Sequence, residues 1–425
     1  MWDKFALIGL FLLPFAISLG PRIAIFGELA TAHLRIQDFI VPPLFLFVSG
    51  FLMLVTRGQS DTRRVRLAMM ASASVFLIAA LVIMASAEGV ELLIRLGFLY
   101  RLAVVPMIAF LVYFGLKSQG NRGLLAVGLG FLISLSLNFA WFFWQFIIGK
   151  NYEAWRFASG DPWNWGLVTI GDGAPFPSGQ YVVLHLAIAL AGTLAARHFW
   201  VRFPLAVVSF ALVVVLFLTQ SRASIASGVV IVALAIYSLF SRDLFHTVLS
   251  RFVFLIVLAC SALGVYMSLA DGRLLPTALA TGLQARVSIW GQRVQLVQGA
   301  ELFGLGPGGH RVAGSGEVHN LYLLLLVDYG VAGVITFLLL LTLLLHVVTF
   351  VLAHTSNPTG QAVAFTVLFF VINLLISGFA QDALNPVISS HLFAVLIGAL
   401  FWVMREIHSW TQVPTGKFYS SNLPR

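Results

Sequence analysis

The sequence predicts an all-α, multi-pass membrane protein with about 12 transmembrane helices and a long outward loop bearing a short amphipathic helix. Three observations predict it. The chain is 60% hydrophobic and only 10% charged, whereas a soluble protein carries roughly 25% charged residues. Apolar runs of the roughly 20 residues that a spanning helix needs recur along the chain. Lys and Arg gather in every second connection between those runs, which is how topology is written in a membrane protein. At a mean hydropathy of +0.97, no globular core could hide so much apolar surface, and lipid must solvate much of it.

In chain order the runs are 5–19, 39–56, 67–87, 92–116, 124–148, 181–196, 203–219, 223–240, 252–269, 321–352, 362–379 and 388–404. The first has no small-residue cleavage site before Gly20, which predicts a retained helix and not a signal peptide. The single cysteine, Cys260, lies inside an apolar run, so a disulfide framework is excluded and a cysteine metal site is not expected.

Charge sets the expected orientation. Lys4, Arg57, Arg63, Arg64, Arg66, Lys117, Arg122, Arg197, Arg202, Arg242, Arg251, Arg405, Lys417 and Arg425 fall on one side, 14 of the 25 Lys and Arg. Arg22, Arg35, Lys150, Arg156, Arg222, Arg273, Arg286, Arg293 and Arg311 fall on the other. The richer side predicts cytoplasm, with both termini inside and a bacterial inner-membrane location. The net charge of +9 is spread over these short loops, so nucleic acid is not an expected partner. Residues 1–410 form one transmembrane domain and 411–425 a polar cytoplasmic tail. Two outward loops are long, about 149–180 and 270–320, and long polar loops are where function usually sits.

The second of these loops carries the most chemistry. Leu283, Val287, Trp290, Val294 and Val297 repeat with helical spacing. Arg286 and Arg293, seven apart, share one face of that helix, two turns from each other. They either grip an anion or anchor to lipid headgroups. Gly304-Leu305-Gly306-Pro307-Gly308-Gly309-His310 follows. Its glycines can turn backbone N–H groups toward phosphate oxygens, or simply make a tight turn; the Lys-Ser/Thr ending of a Walker A loop is missing. His319-Asn320 then precedes a long apolar run, with Asp328-Tyr329-Gly330 inside it.

Arg222 stands in the very short connection Gln220-Ser221-Arg222, as an anchor or a fixed cation. Arg95 and Arg101 fall in or near the fourth run, where an arginine is costly and faces a cavity or a partner. Arg95 has Glu91 four residues earlier. Arg101 has no local acid and is the better anion-site candidate. Trp141, Trp144, Trp155, Trp163 and Trp165 gather at the other outward loop, as an aromatic belt or as stacking faces for sugar.

The set Thr219-Gln220-Ser221-Arg222-Ala223-Ser224, Arg286 to Trp290, Gly304-Leu305-Gly306-Pro307-Gly308, His319-Asn320-Leu321-Tyr322, Asp328-Tyr329-Gly330 and Gly333 resembles the O-antigen ligase/polymerase family. The resemblance covers roughly 181–352; the other helices match in number and character only. It implies a metal-independent, inverting glycosyltransferase of the multi-spanning type, without a cofactor. The implied donor is an undecaprenyl-diphosphate-linked glycan and the implied active site is periplasmic. The residues carried over as catalytic are Arg222, Arg286 and His319. Arg101, Arg293, Gly306, Gly308 and Asn320 are the candidates for substrate binding.

The segment between Arg286 and His319 is compact, where many ligases have a longer insertion. That leans the reading toward a polymerase of surface-polysaccharide repeat units, with a chain-length regulator as a possible partner. The alternative is an O-antigen ligase whose acceptor is lipid A–core. A more distant alternative is a membrane transporter, against which stand the lack of clearly related halves, the lack of helices clearly broken near the midplane, and the placement of the key charges mostly at the outward surface.

Overall fold

The computed structural model describes residues 2–19, 22–23, 34–35, 41, 74–147, 175–218, 221–240, 288–313, 318, 320–379 and 387–411. Their regular structure is helical, apart from a two-residue antiparallel ladder in which Arg22 and Ile23 (β1) pair with Arg35 and Leu34 (β2). The helices are α1 (Trp2–Leu19), α2 (Ser74–Ser86), α3 (Gly89–Gln119), α4 (Asn121–Ile147), α5 (Pro175–Ala195) and α6 (Phe199–Leu218). There follow α7 (Arg222–Phe240), α8 (288–296), α9 (Gly309–Val312), α10 (Leu321–His354), α11 (Pro358–Ser377) and α12 (Val387–Thr411).

Five stretches among the described residues are long and apolar enough to cross a membrane: Glu91–Gln119, Phe199–Phe217, Leu321–His354, Pro358–Ser377 and Ser390–Ile407. Four shorter apolar helices accompany them, Ser74–Ser86, Asn121–Leu137, Gly179–Ala195 and Ala223–Leu239. Of the twelve expected runs, 39–56 (Val41 apart) and 252–269 lie outside the described residues. So does most of the 149–180 loop. Its last residues depart from expectation, because α5 begins at Pro175 rather than near 181. Prolines at 175 and 177 do not prevent this, since the first N–H groups of a helix have no intrahelical partner to lose.

Packing separates inner helices from lipid-facing ones. In α11 the consecutive residues Val367, Leu368, Phe369, Phe370, Val371 and Ile372 are all buried. A helix buried on every face belongs inside a bundle, and α11 packs against α5, α7, α10 and α12. In α6, by contrast, Phe203, Val207, Phe210, Val214 and Phe217 are exposed and repeat with helical spacing. Such a stripe is the lipid-facing surface of a membrane protein. Helices close up where glycine allows it. Gly130 of α4 lies against the Phe11 carbonyl of α1, and Gly398 of α12 against the Ala109 carbonyl of α3, so that a Cβ at either would collide. Small residues serve this purpose in lipid, where no hydrophobic effect draws apolar faces together.

The sequence predicts one uninterrupted helix over 321–352. The structure breaks α10 at Gly330, with φ 64° and ψ −166°. A break in lipid frees backbone groups that water cannot reach, each unsatisfied one costing several kcal/mol. The segment 300–305 satisfies them. The Leu305 N–H donates to the Val327 carbonyl at 2.8 Å, Val331 N–H to Glu301 at 2.9 Å, and Ala332 N–H to Leu302 at 3.1 Å. Where the two backbones cross, both residues are glycine. A Cβ on Gly304 would lie 2.5 Å from the Gly330 nitrogen.

Candidate active site

At one end of the bundle the starts of α5, α7 and α10 meet the end of α11. The start of α7 is held from inside. Gln180 of α5 and Asn373 of α11 are 0% exposed, and their amides face each other. Asn373 Nδ2 donates to Gln180 Oε1 at 2.5 Å, and Gln180 Nε2 donates to Ser224 Oγ at 3.3 Å. The Ser227 hydroxyl donates to Asn373 Oδ1 at 2.6 Å, and that of Ser221 donates to Ser224 Oγ at 2.9 Å. Ser221, Ser224 and Ser227 surround Arg222, the first residue of α7. A backbone contact seals the same place: a Cβ on Gly179 would lie 2.6 Å from Ser224 Oγ and 2.7 Å from Ser221 Cβ.

The start of α10 is held by the same end of α11. Asn320 caps the helix, its Oδ1 accepting the Leu323 N–H at 2.9 Å. Its Nδ2 donates to the Phe379 carbonyl at 3.1 Å. The Leu321 N–H donates to Gly378 at 2.7 Å, and the Tyr322 hydroxyl to Leu375 at 3.0 Å. Asn373 and Gly378 are about 8 Å apart along a helix axis by rise alone. The start of α7 and the cap of α10, nearly a hundred residues apart in sequence, are thus fixed to one short stretch.

The outward loop contributes α8. Trp290 packs with Val297, Val318, Leu323 and Val327, which seats α8 beside the start of α10. Val294, expected on the same apolar face, is exposed. Trp290 Nε1 and Arg293 Nε are buried donors with no hydrogen-bond partner among the described residues. Burial also lowers the Arg293 pKa from its ordinary value.

The glycine turn behaves as its sequence predicts in one respect and differs in another. Its backbone N–H groups do converge on an anion, but that anion is the protein's own. Asp328 accepts from the Gly308 N–H at 3.2 Å, the His310 N–H at 2.9 Å and His310 Nδ1 at 2.9 Å. Asp328 and His310 are each 1% exposed. Gly308 is therefore turned inward, against Phe98, whose ring also meets His310 edge-on at 5.3 Å. Gly306 lies against the Arg95 guanidinium. Arg95 pairs with Glu91 at 2.7 Å, as its spacing predicts, and its Nη1 also donates to the Leu305 carbonyl at 2.5 Å. Arg101, one turn deeper, has its guanidinium carbon 5.5 Å from the Phe98 ring centre.

Of the three residues carried over as catalytic, Arg286 and His319 lie outside the described residues, and Arg222 is described only as the first residue of its helix. His319 is joined directly to two described neighbours, buried Val318 and the cap Asn320. Sequence reasoning missed Gln180, Asn373 and Ser227, and met Ser224 only as part of the motif around Arg222. The available signal was an amide residue in each of two apolar helices, because polar groups there are rare and serve a purpose.

Residues 206–338 match the family model described as O-antigen ligase. That stretch runs from α6 through α7 and the loop to just beyond the break in α10, and it contains every carried-over residue. No curated protein matches the chain.

Proposed function

Proceeding from a chain that belongs, through residues 206–338, to the O-antigen ligase family, we propose that it moves an oligosaccharide from undecaprenyl diphosphate to a sugar hydroxyl at the periplasmic face. In this reading it extends surface polysaccharide by repeat units. The observation that supports it is the joint anchoring of the start of α7 and the cap of α10 on the end of α11. This brings together the start of α7, where Arg222 stands, and the cap Asn320, which follows His319 in the sequence.

The acceptor hydroxyl oxygen attacks the anomeric carbon as the bond to the diphosphate oxygen breaks, inverting the centre. The bonding pair leaves on the diphosphate, which needs no proton. Charge grows there in the transition state, and the forked guanidiniums of Arg222 and Arg286 meet it. Neutral His319 takes the hydroxyl proton as general base. The buried donors of α8, with Arg101, extend the anion-binding surface. Gly306 and Gly308 contribute the shape of the turn.

The test is purified protein in lipid with undecaprenyl-diphosphate-linked oligosaccharide. A ladder of products is expected, unchanged by a chelator. Absence of any transfer, or transfer lost to a chelator and restored by a divalent metal, removes this reading. The match to an O-antigen ligase family favours a second reading, transfer to lipid A–core. A single product formed only when lipid A–core is supplied would establish that instead.

A further inference from the structure

We propose that Asn373, with Gln180 and Gly179, is the positioning unit that sets Arg222 against the site. The inference deepens the reading above and rests on it. Three physical facts carry it. The Gln180–Asn373 amide pair is completely buried, in a part of the molecule where unmatched polar groups are costly. Besides bonding each other, both amides reach α7: Gln180 through Ser224, Asn373 through Ser227. These two serines stand two and five residues after Arg222. Finally, Gly179 leaves no room between α5 and the first turn of α7. Hydrogen bonds draw that turn toward α11, and van der Waals contact stops it against α5. The first residue of the turn has one position available to its backbone.

Asn373 also faces the other half of the site. Its own carbonyl accepts the Ser377 hydroxyl at 2.6 Å, and the next residue, Gly378, accepts the Leu321 N–H. One helix end therefore sets both the start of α7 and the start of α10. None of these three residues meets the substrate in this scheme; they act through Arg222.

Two variants disturb the position by different physics. Asn373→Asp keeps size and shape but replaces the donor that faces Gln180 Oε1 with a second acceptor. Gly179→Ala removes no hydrogen-bonding group and pushes the first turn of α7 aside by a methyl placed against Ser221 and Ser224. Each is expected to lower kcat about 10- to 100-fold, the effect of misplacing a group by about an ångström, with donor KM within about twofold of wild type. The deciding readout is a double-mutant cycle with Arg222→Lys. If both act through Arg222, adding either variant to Arg222→Lys costs little more, because groups that work as a unit are not additive.

Full additivity overturns the proposal, and so does wild-type kcat in both variants. Loss of insertion or of protein level in both variants also overturns it, by reducing the cluster to helix packing. Near-normal turnover of Arg222→Lys itself strikes the underlying functional reading instead, and so separates the two failures.

Discussion

A single amide or guanidinium decides much in this molecule, because its surroundings offer no water as a substitute partner. Arg222 and Arg286 are proposed to grip a diphosphate through the guanidinium fork, which lysine lacks. Arg222→Lys and Arg286→Lys should therefore each cut turnover strongly, by at least about tenfold, the equivalent of about 1.4 kcal/mol of transition-state binding. Measuring turnover of both in the lipid-linked assay checks this, and near-normal rates in both would end the diphosphate-clamp idea. For His319 the informative pair is Ala and Gln. A general base contributes about 10²–10⁴ in rate, so His319→Gln should be as impaired as His319→Ala while donor binding survives in each. A well-inserted His319→Gln enzyme with wild-type turnover would leave His319 a purely structural role beside the Asn320 cap. Residues of this kind were legible in the sequence as types at spacings. Asp328 and His310 were legible too, but only as neighbours of a glycine turn. Their pairing, 18 residues apart, follows from a break in a helix that no spacing rule foretells.

At the scale of the element, α10 shows why the break was hidden. Leu321 to His354 is apolar throughout apart from Asp328 and a few hydroxyl, glycine and histidine positions, and such a run reads as a single span. The break depends on tertiary contacts with 300–305, contributed from earlier in the chain. Its φ and ψ at Gly330 lie in a region that is essentially open to glycine alone. Gly330→Ala should cost about 1–3 kcal/mol in backbone strain, with the collision against Leu302 in addition. A lowered midpoint of thermal unfolding in detergent is the expected result. An unchanged midpoint would mean that segment 302–304 is not seated on the break. The helical content of α3 to α7 and of α10 to α12 was legible, because long apolar runs are the strongest signal a membrane chain gives. The start of α5 was not, since its first turn reads Pro175-Phe176-Pro177 and its lead-in resembles a loop.

For the whole molecule, the helices sort by exposure. α11 lies in the interior, while α6 carries an apolar stripe outward. The distribution of Lys and Arg predicts a direction for this bundle, with the shared end of α5, α7, α10 and α11 toward the periplasm. Placing a cysteine at position 315 in a Cys260→Ser background tests it. Ser315→Cys should react with an impermeant maleimide added to cells whose inner membrane is intact. Labelling only after the inner membrane is ruptured would reverse the orientation and with it the sidedness of the proposed reaction. The sequence could indicate this direction because topology depends on composition near the surfaces. It could not reveal that α11 is the central helix, since a run such as Val363 to Ile376 looks no different from its neighbours until its partners are known.

The place of α11 in the chain has a consequence for biogenesis. Asn373, Gly378 and Phe379, which fix the starts of α7 and α10, leave the ribosome well after Arg222, Arg286 and His319. A nascent chain that already holds all three still lacks the part of α11 that anchors the starts of α7 and α10. On the proposed function, the chain passes during synthesis through an interval in which the proposed catalytic residues are present without that anchor. The same reading makes activity wait for α11 to insert, so a polypeptide truncated anywhere before it is expected to be silent rather than unregulated.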